Sequence, residues 1–325
     1  MALDTRKTPS AIDALGEAIS HMRQKLFPFS FLGWITLGFV SLLDSCGASS
    51  GGGSVQNKMG DPRVIENPGR LIENVFGWIA SHMLWVVLGL MAIMVVSLIV
   101  MWVRSRAIFV YIDDVSSGRF DLIRPWSQHG ALADSFFAVS LVLQGAMFIV
   151  VVMILALGAF FVIWARAHQW AGAGIALGAL PILFLFLLSV LVGVLLGIVL
   201  RDFVAPIQMA RNIGAQEAGG VFFSILSANF GLFFGYAVLK FAVWMAATIV
   251  MFAGMCLTCC IGAIPLINQT LFQPVYYAER AWSLKLLAQM GEDVFPQPAP
   301  PPEDYSPSDA PTGPIDLSAF ADSSV

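Results

Sequence analysis

Lys240 is the residue of this chain whose chemistry most needs an explanation. It stands in the run Gly235-Tyr236-Ala237-Val238-Leu239-Lys240-Phe241-Ala242-Val243, well inside an apolar stretch at 229–254. An ammonium in the middle of a membrane crossing costs at least about 2.5 kcal/mol on insertion scales, so it must face other helices and meet an acceptor. Asp44, Glu279 and the polar side chains of the last apolar stretch are candidate partners. The alternative starts the stretch earlier and lets Lys240 reach an interface along its flexible stem. Both readings stay open at this level.

The last apolar stretch, "CLTCCIGAIPLINQTLFQPVYYAER" at 256–280, is unusually polar. Thr258, Gly262, Pro265, Gln269, Gln273, Tyr276 and Arg280 recur every three or four residues along one helical face. Pro265 and Pro274 each remove a backbone donor that neighbours or water must replace. Lys240, Gln269, Gln273 and Glu279 are therefore the candidate intramembrane polar cluster. Broken polar helices line solute paths in transporters. They also serve as packing helices whose amides bond across to neighbours, which is the simpler reading.

Other chemistry is thin. Cys256, Cys259 and Cys260 form C-x-x-C-C without further ligands nearby, so buried thiols are expected and no metal. Asp113-Asp114 with His129 has the residue types of a cation site, but surface pairing with Arg104 and Arg106 is simpler. There is no H-E-x-x-H, no phosphate-binding loop and no G-x-S-x-G. No catalytic residue, no cofactor, no nucleic-acid partner and no enzymatic activity is expected.

The elements that must position these residues follow from composition. The 325 residues are 58% hydrophobic and 12% charged. Soluble domains carry about twice that charge fraction. Apolar segments lie near 27–45, 78–103, 135–164, 171–200, 229–254 and 256–279, and about 20 apolar residues suffice to cross a bilayer. The expected fold is all-α: a polytopic bundle of about six spans over 27–290, with interfacial helices on its cytoplasmic face. Polar connectors at 104–134 and 201–228 read as short surface helices. Spacings such as Gly231-x3-Gly235 would let helices approach closely and suit a homo-oligomer without proving one.

Residues 1–26 form a separate piece. Thr8 can cap and Pro9 can open a helix in which Ile12, Leu15, Ile19, Met22 and Leu26 make one apolar stripe. A helix lying on the membrane surface is expected, with packing on the protein's own loops as the alternative. Residues 291–325 are rich in Pro and acid and hold seven Asp or Glu with no Lys or Arg. Such a tail cannot bury a core and is expected to be disordered, with contacts to protein partners as its candidate role.

Charge orients the spans. Twelve Lys or Arg fall on the side holding residues 1–26 and both long connectors, against four on the other side. Both termini are therefore expected in the cytoplasm, facing anionic lipid. The stretch "SLLDSCGASSGGGS" at 41–54 also resembles the end of a lipoprotein signal, with a start at Cys46. The long patterned segment ahead of it and Asp44 beside the would-be cleavage site favour retention of residues 1–45.

Several pieces in order, "FPFSFLGWITLGFVSLL", "RSRAIFVYIDDV" leading to "IRPW", "RDFVAPIQMARN" and "CCIGAIPLINQTLFQPVYYAERAWSLKLLAQMGEDV", resemble an uncharacterised family of bacterial multi-span membrane proteins. They cover most of 27–295. The layout is also similar to the membrane domain attached to some glycerophosphodiester phosphodiesterases, though no phosphodiesterase residues are present. The resemblance implies an integral protein of the bacterial inner membrane and no known activity. The expectation is a non-enzymatic component that organises lipid or protein partners. The alternative is a small-solute transporter or channel with its path near Lys240.

Overall fold

The structure is a computed structural model, and it describes residues 9–27, 30–45, 77–78, 80–257 and 264–295. The loop 47–54, Cys46, Cys259, Cys260, Thr258, Gly262 and the tail beyond Phe295 lie outside the described residues. Everything described is helix, turn or loop, with no strand among the described residues.

α1 (Ala11–Leu26) starts two residues later than Pro9 would set it. Ser10 is the cap, because its hydroxyl accepts the Asp13 N–H at 3.3 Å and satisfies one of the first-turn donors. α2 (Phe31–Ser45) is apolar but only 15 residues long. α3 (Met83–Ser117) runs 35 residues and ends where Gly118 takes a left-handed φ of 70°, a conformation that costs glycine little. A short α4 (Ile123–Gln128) leads into α5 (Gly130–Ala167). α6 (Gly172–Val199) passes through a π-helical turn, Leu200–Val204, into α7 (Ala205–Arg211). α8 (Ala215–Ala228), α9 (Phe230–Leu257), α10 (Pro265–Leu271) and α11 (Gln273–Gln289) follow.

Four helical stretches are long and apolar enough to cross a membrane: Met83–Ser117, Gly130–Ala167, Gly172–Arg211 and Phe230–Leu257. Their most apolar stretches bury almost nothing inside the protein. Leu84, Ile93, Phe148, Phe160, Phe184, Phe241 and Ile249 all point outward. Hydrocarbon, not water, is the solvent for which such a surface is stable. The segment expected as a sixth span is divided among the end of α9, α10 and the start of α11, the chain breaking between α10 and α11 at Phe272.

The core lies among the connectors. Residues 105–117 continue α3 without a break, and Ala107 through Ile112 are all buried. They pack with Phe136 of α5, Phe203 and Val204 of the π turn, Ile207 of α7, Phe222 of α8, Tyr236 of α9 and most of α11. Phe203 stacks on Phe222 at 5.2 Å and meets Phe233 and Tyr236 edge-on. Stretches that look like polar linkers in sequence thus supply the packed aromatic interior.

α1 packs against α11. Ala14 and Ala18 are fully buried there, and small side chains let the two backbones approach. Trp282 donates its indole N–H to the Ala11 carbonyl at 2.8 Å, and the Ser10 N–H reaches Gln289 Oε1 at 2.9 Å.

Candidate functional site

The charged residues of the apolar segments converge where α2, α3, the π turn, α9 and α11 meet. Asp44 arrives on the last turn of α2. Arg201 and Asp202 arrive on the π turn, Lys240 on α9, and Glu279 and Arg280 on α11. Neighbouring residues on a helix diverge by about 100°, and this pair uses the divergence to reach two different partners. A π turn inside a helix often marks such a site.

Asp44 is 1% exposed, and its Oδ2 takes both Arg201 Nη2 at 2.6 Å and Arg201 Nε at 3.0 Å. Arg280 Nη2 lies 3.5 Å from the same oxygen. Arg280 Nη1 donates to the Arg201 carbonyl at 2.8 Å and stands 3.8 Å from Asp202 Oδ1. Asp202 Oδ2 accepts from Lys240 Nζ and, at 3.3 Å, from the Tyr236 hydroxyl. Lys240 also pairs with Glu279 Oε1 at 3.1 Å. Arg104 Nε caps the end of α2 by donating to the Asp44 carbonyl at 3.0 Å. Charges of opposite sign alternate through the cluster, which offsets part of the cost of removing them from water.

Lys240 and Glu279 are brought together as candidates, but the lysine's tighter partner is Asp202, which the sequence reading missed. Its signal is the pair Arg201-Asp202 set directly after some thirty apolar residues. Asp44, another candidate for Lys240, is taken by Arg201 and Arg280 instead. The two glutamines serve other contacts. Gln269 accepts from the Ser41 hydroxyl at 2.7 Å and donates to Ser45 at 3.5 Å, joining α10 to α2. Gln273, fully buried, donates to the Tyr111 hydroxyl at 3.3 Å and joins α11 to α3.

The arrangement can hold helices together by charge. A general acid or base must instead keep a titratable group free at a cavity. Three buried polar atoms of this region have no protein partner among the described residues: Asp44 Oδ1, Gln273 Oε1 and Arg280 Nε. They lie where donors and acceptors alternate, a setting that suits an internal water.

The remaining candidates separate. His129 Nε2 is 3.7 Å from Asp113 Oδ1, while Asp114 is buried with its Oδ1 accepting the Asp121 N–H at 3.1 Å. Arg106 pairs not with Asp113 or Asp114 but with Asp134 at 3.1 Å, its guanidinium lying 4.5 Å from the Trp102 ring. Among the described residues no group of three or more His, Cys, Asp or Glu could hold a metal ion, and Cys256 is an exposed free thiol.

No curated protein and no solved structure matches the chain. The likeness in layout to the membrane domain of glycerophosphodiester phosphodiesterases gains no support from the comparisons. A match over residues 9–288 covers α1 through most of α11 and leaves out the acidic tail. By that match, the chain belongs to the family of unknown function DUF7544.

Proposed function

We propose that this chain is a non-enzymatic component of the bacterial inner membrane that organises lipid or protein partners through its cytoplasmic surface and acidic tail. The observation that carries the reading is the closed state of the charge cluster. Lys240 is held by Asp202 and Glu279, Asp44 by Arg201 and Arg280, and Gln273 by Tyr111. A small-solute path would need these groups turned toward a water-filled cavity. Bonded to one another, they act as ties that make a firm helical platform at one end of the long apolar helices.

The contact between α1 and α11 supports an even number of crossings, as in a six-span topology with both termini on one side. The excess of Lys and Arg on that side supports the cytoplasm as its location. The acidic tail is then the contact for protein partners, and homo-oligomers would cover part of the exposed apolar surface.

The test is affinity capture from bacterial membranes with the full chain and with a version ending at Phe295, which keeps the residues packed on the body. Partners recovered with the full chain and lost with the shorter one support the organising role. An identical set of partners removes the tail from it. Uptake of solutes into vesicles containing the purified full chain, abolished by Lys240→Met, would instead favour the transporter.

A further inference from the structure

We propose that a hollow at the C-terminal end of α1 binds the headgroup of an anionic phospholipid. The inference rests on the reading of the chain as a membrane component, and it names one lipid contact within that role.

α1 has two faces. Ala14, Ala18 and Leu26 are buried, with Leu15 and Met22 packed beside them. On another face Ile12, Gly16, Ile19, Arg23 and Phe27 follow at intervals of four, three, four and four, and all are exposed. Ile12 is 71% exposed and Phe27 53%. The single apolar stripe seen in sequence is thus split, and two isoleucines are left facing outward. Phe31 and Leu32, at the start of α2, extend this outward apolar surface at 69% and 75% exposure.

Arg23, Gln24 and Phe27 line a hollow of about 470 Å³ within this surface. Arg23 makes no ion pair among the described residues. Lys25 is engaged elsewhere: its stem lies against Gly118, where an added Cβ would stand 3.0 Å from Lys25 Nζ. The acids of α1, Asp13 and Glu17, sit in its first half, and Glu17 accepts from Gln289 at 3.2 Å. A guanidinium without a counter-ion takes a phosphate in bidentate fashion. The Gln24 amide, which donates to the Ser20 hydroxyl at 3.5 Å, carries a second N–H for ester or hydroxyl oxygens. The Phe27 ring, edge-on to Trp34 at 6.1 Å, supplies an apolar floor for the first carbons of a chain.

A free phosphate would use Arg23 but would leave Phe27, Phe31 and Leu32 facing water. A lipid satisfies both sets of groups, and the cytoplasmic leaflet is the source of anionic headgroups beside a basic protein face.

The experiment is native mass spectrometry of the full chain carried from nanodiscs of equal phosphatidylglycerol and phosphatidylcholine. The parent chain should retain phosphatidylglycerol preferentially. Arg23→Gln should lower that retention by roughly fivefold, the worth of one cation at a charged surface. Phe27→Ala should also lower it, and Arg124→Gln on α4 should not. Equal retention of the two lipids by the parent, unchanged retention in Arg23→Gln, or displacement by inorganic phosphate alone would each overturn the proposal. Carbonate extraction separates the two failures. Unchanged retention by a chain that stays in the membrane pellet sinks the lipid site alone, whereas release from the pellet sinks the membrane reading itself.

Discussion

Asp44 and Arg201 stand 157 positions apart in the chain and 2.6 Å apart in space. Their pairing ties the end of α2 to the π turn that follows α6, and Arg280 fastens α11 to the same carboxylate. Removing Asp44 leaves two guanidiniums close together in a buried site. Asp44→Ala should cost about 3–5 kcal/mol, read as a lowered thermal midpoint of the purified chain. Asp44→Ala combined with Arg201→Met should recover part of the loss, since it deletes the stranded charge as well. An unchanged midpoint in Asp44→Ala would rule out the tie.

Sealing of the cluster predicts thiol chemistry. In a background with its four cysteines replaced, a cysteine in place of Gln273 should resist a hydrophilic maleimide, because this position is fully buried. One in place of the exposed Arg124 should label readily. Equal labelling at the two positions would mean that water reaches the α11–α3 contact, and would revive a solute path.

Two glycines should respond differently to alanine. At Gly38 an added Cβ would meet the Thr270 side chain and lie 3.1 Å from Thr270 Cα, so α2 and α10 would have to separate. Gly38→Ala should destabilise by about 1–3 kcal/mol. At Gly235 nothing lies within 4 Å, and alanine there should be neutral or stabilising by up to about 1 kcal/mol through its helix propensity. Thermal unfolding of the two variants side by side checks the contrast, and equal effects would contradict the close approach of α2 and α10.

His21 joins α1 to α3 and α11. Its Nε2 lies 2.8 Å from the Val115 carbonyl, and its ring stacks on Tyr277 and meets Phe295 edge-on. Burial pushes its pKa below the ordinary 6.5, against the Val115 hydrogen bond and with the help of Lys285 and Lys25. The unfolded chain therefore binds this proton more readily than the folded one. The stability contribution is fully present above pH 6.5 and declines as the pH falls below it. Thermal midpoints measured from pH 8 to 5 should drop more for the parent than for His21→Phe. Parallel curves would show that His21 does not titrate against folding.

How much of this was legible in sequence depends on the range of the interaction. Long uninterrupted apolar runs announce α3, α5, α6 and α9, because the length needed to cross hydrocarbon is a local property. Lys240 announces that it needs an acceptor for the same reason, since no acid stands near it on its own helix. Which acceptor it finds was not legible. Asp202 looks like the start of a polar connector, and only the meeting of the π turn with α9 makes it the partner. The stripe of α1 was legible as apolar but not as two faces, because Ile12 and Leu15 are equally hydrophobic to a periodicity count. The alanines that face α11 carry almost no hydrophobic signal.

The connectors are the sharpest case. Residues 104–117 and 201–211 carry charges and so look like surface linkers, yet most of their side chains are buried or half-buried. Arg201 and Asp202 are accommodated there because Asp44 and Lys240, on helices distant in sequence, pair with them. By itself the sequence determined an all-helical chain with runs long and apolar enough for a bilayer, since length and hydropathy follow from residues close together along the chain. Only the tertiary structure decided which charges pair, which end of the bundle holds the core and which face of α1 stays open. Those outcomes depend on contacts between segments from 38 to 271 residues apart.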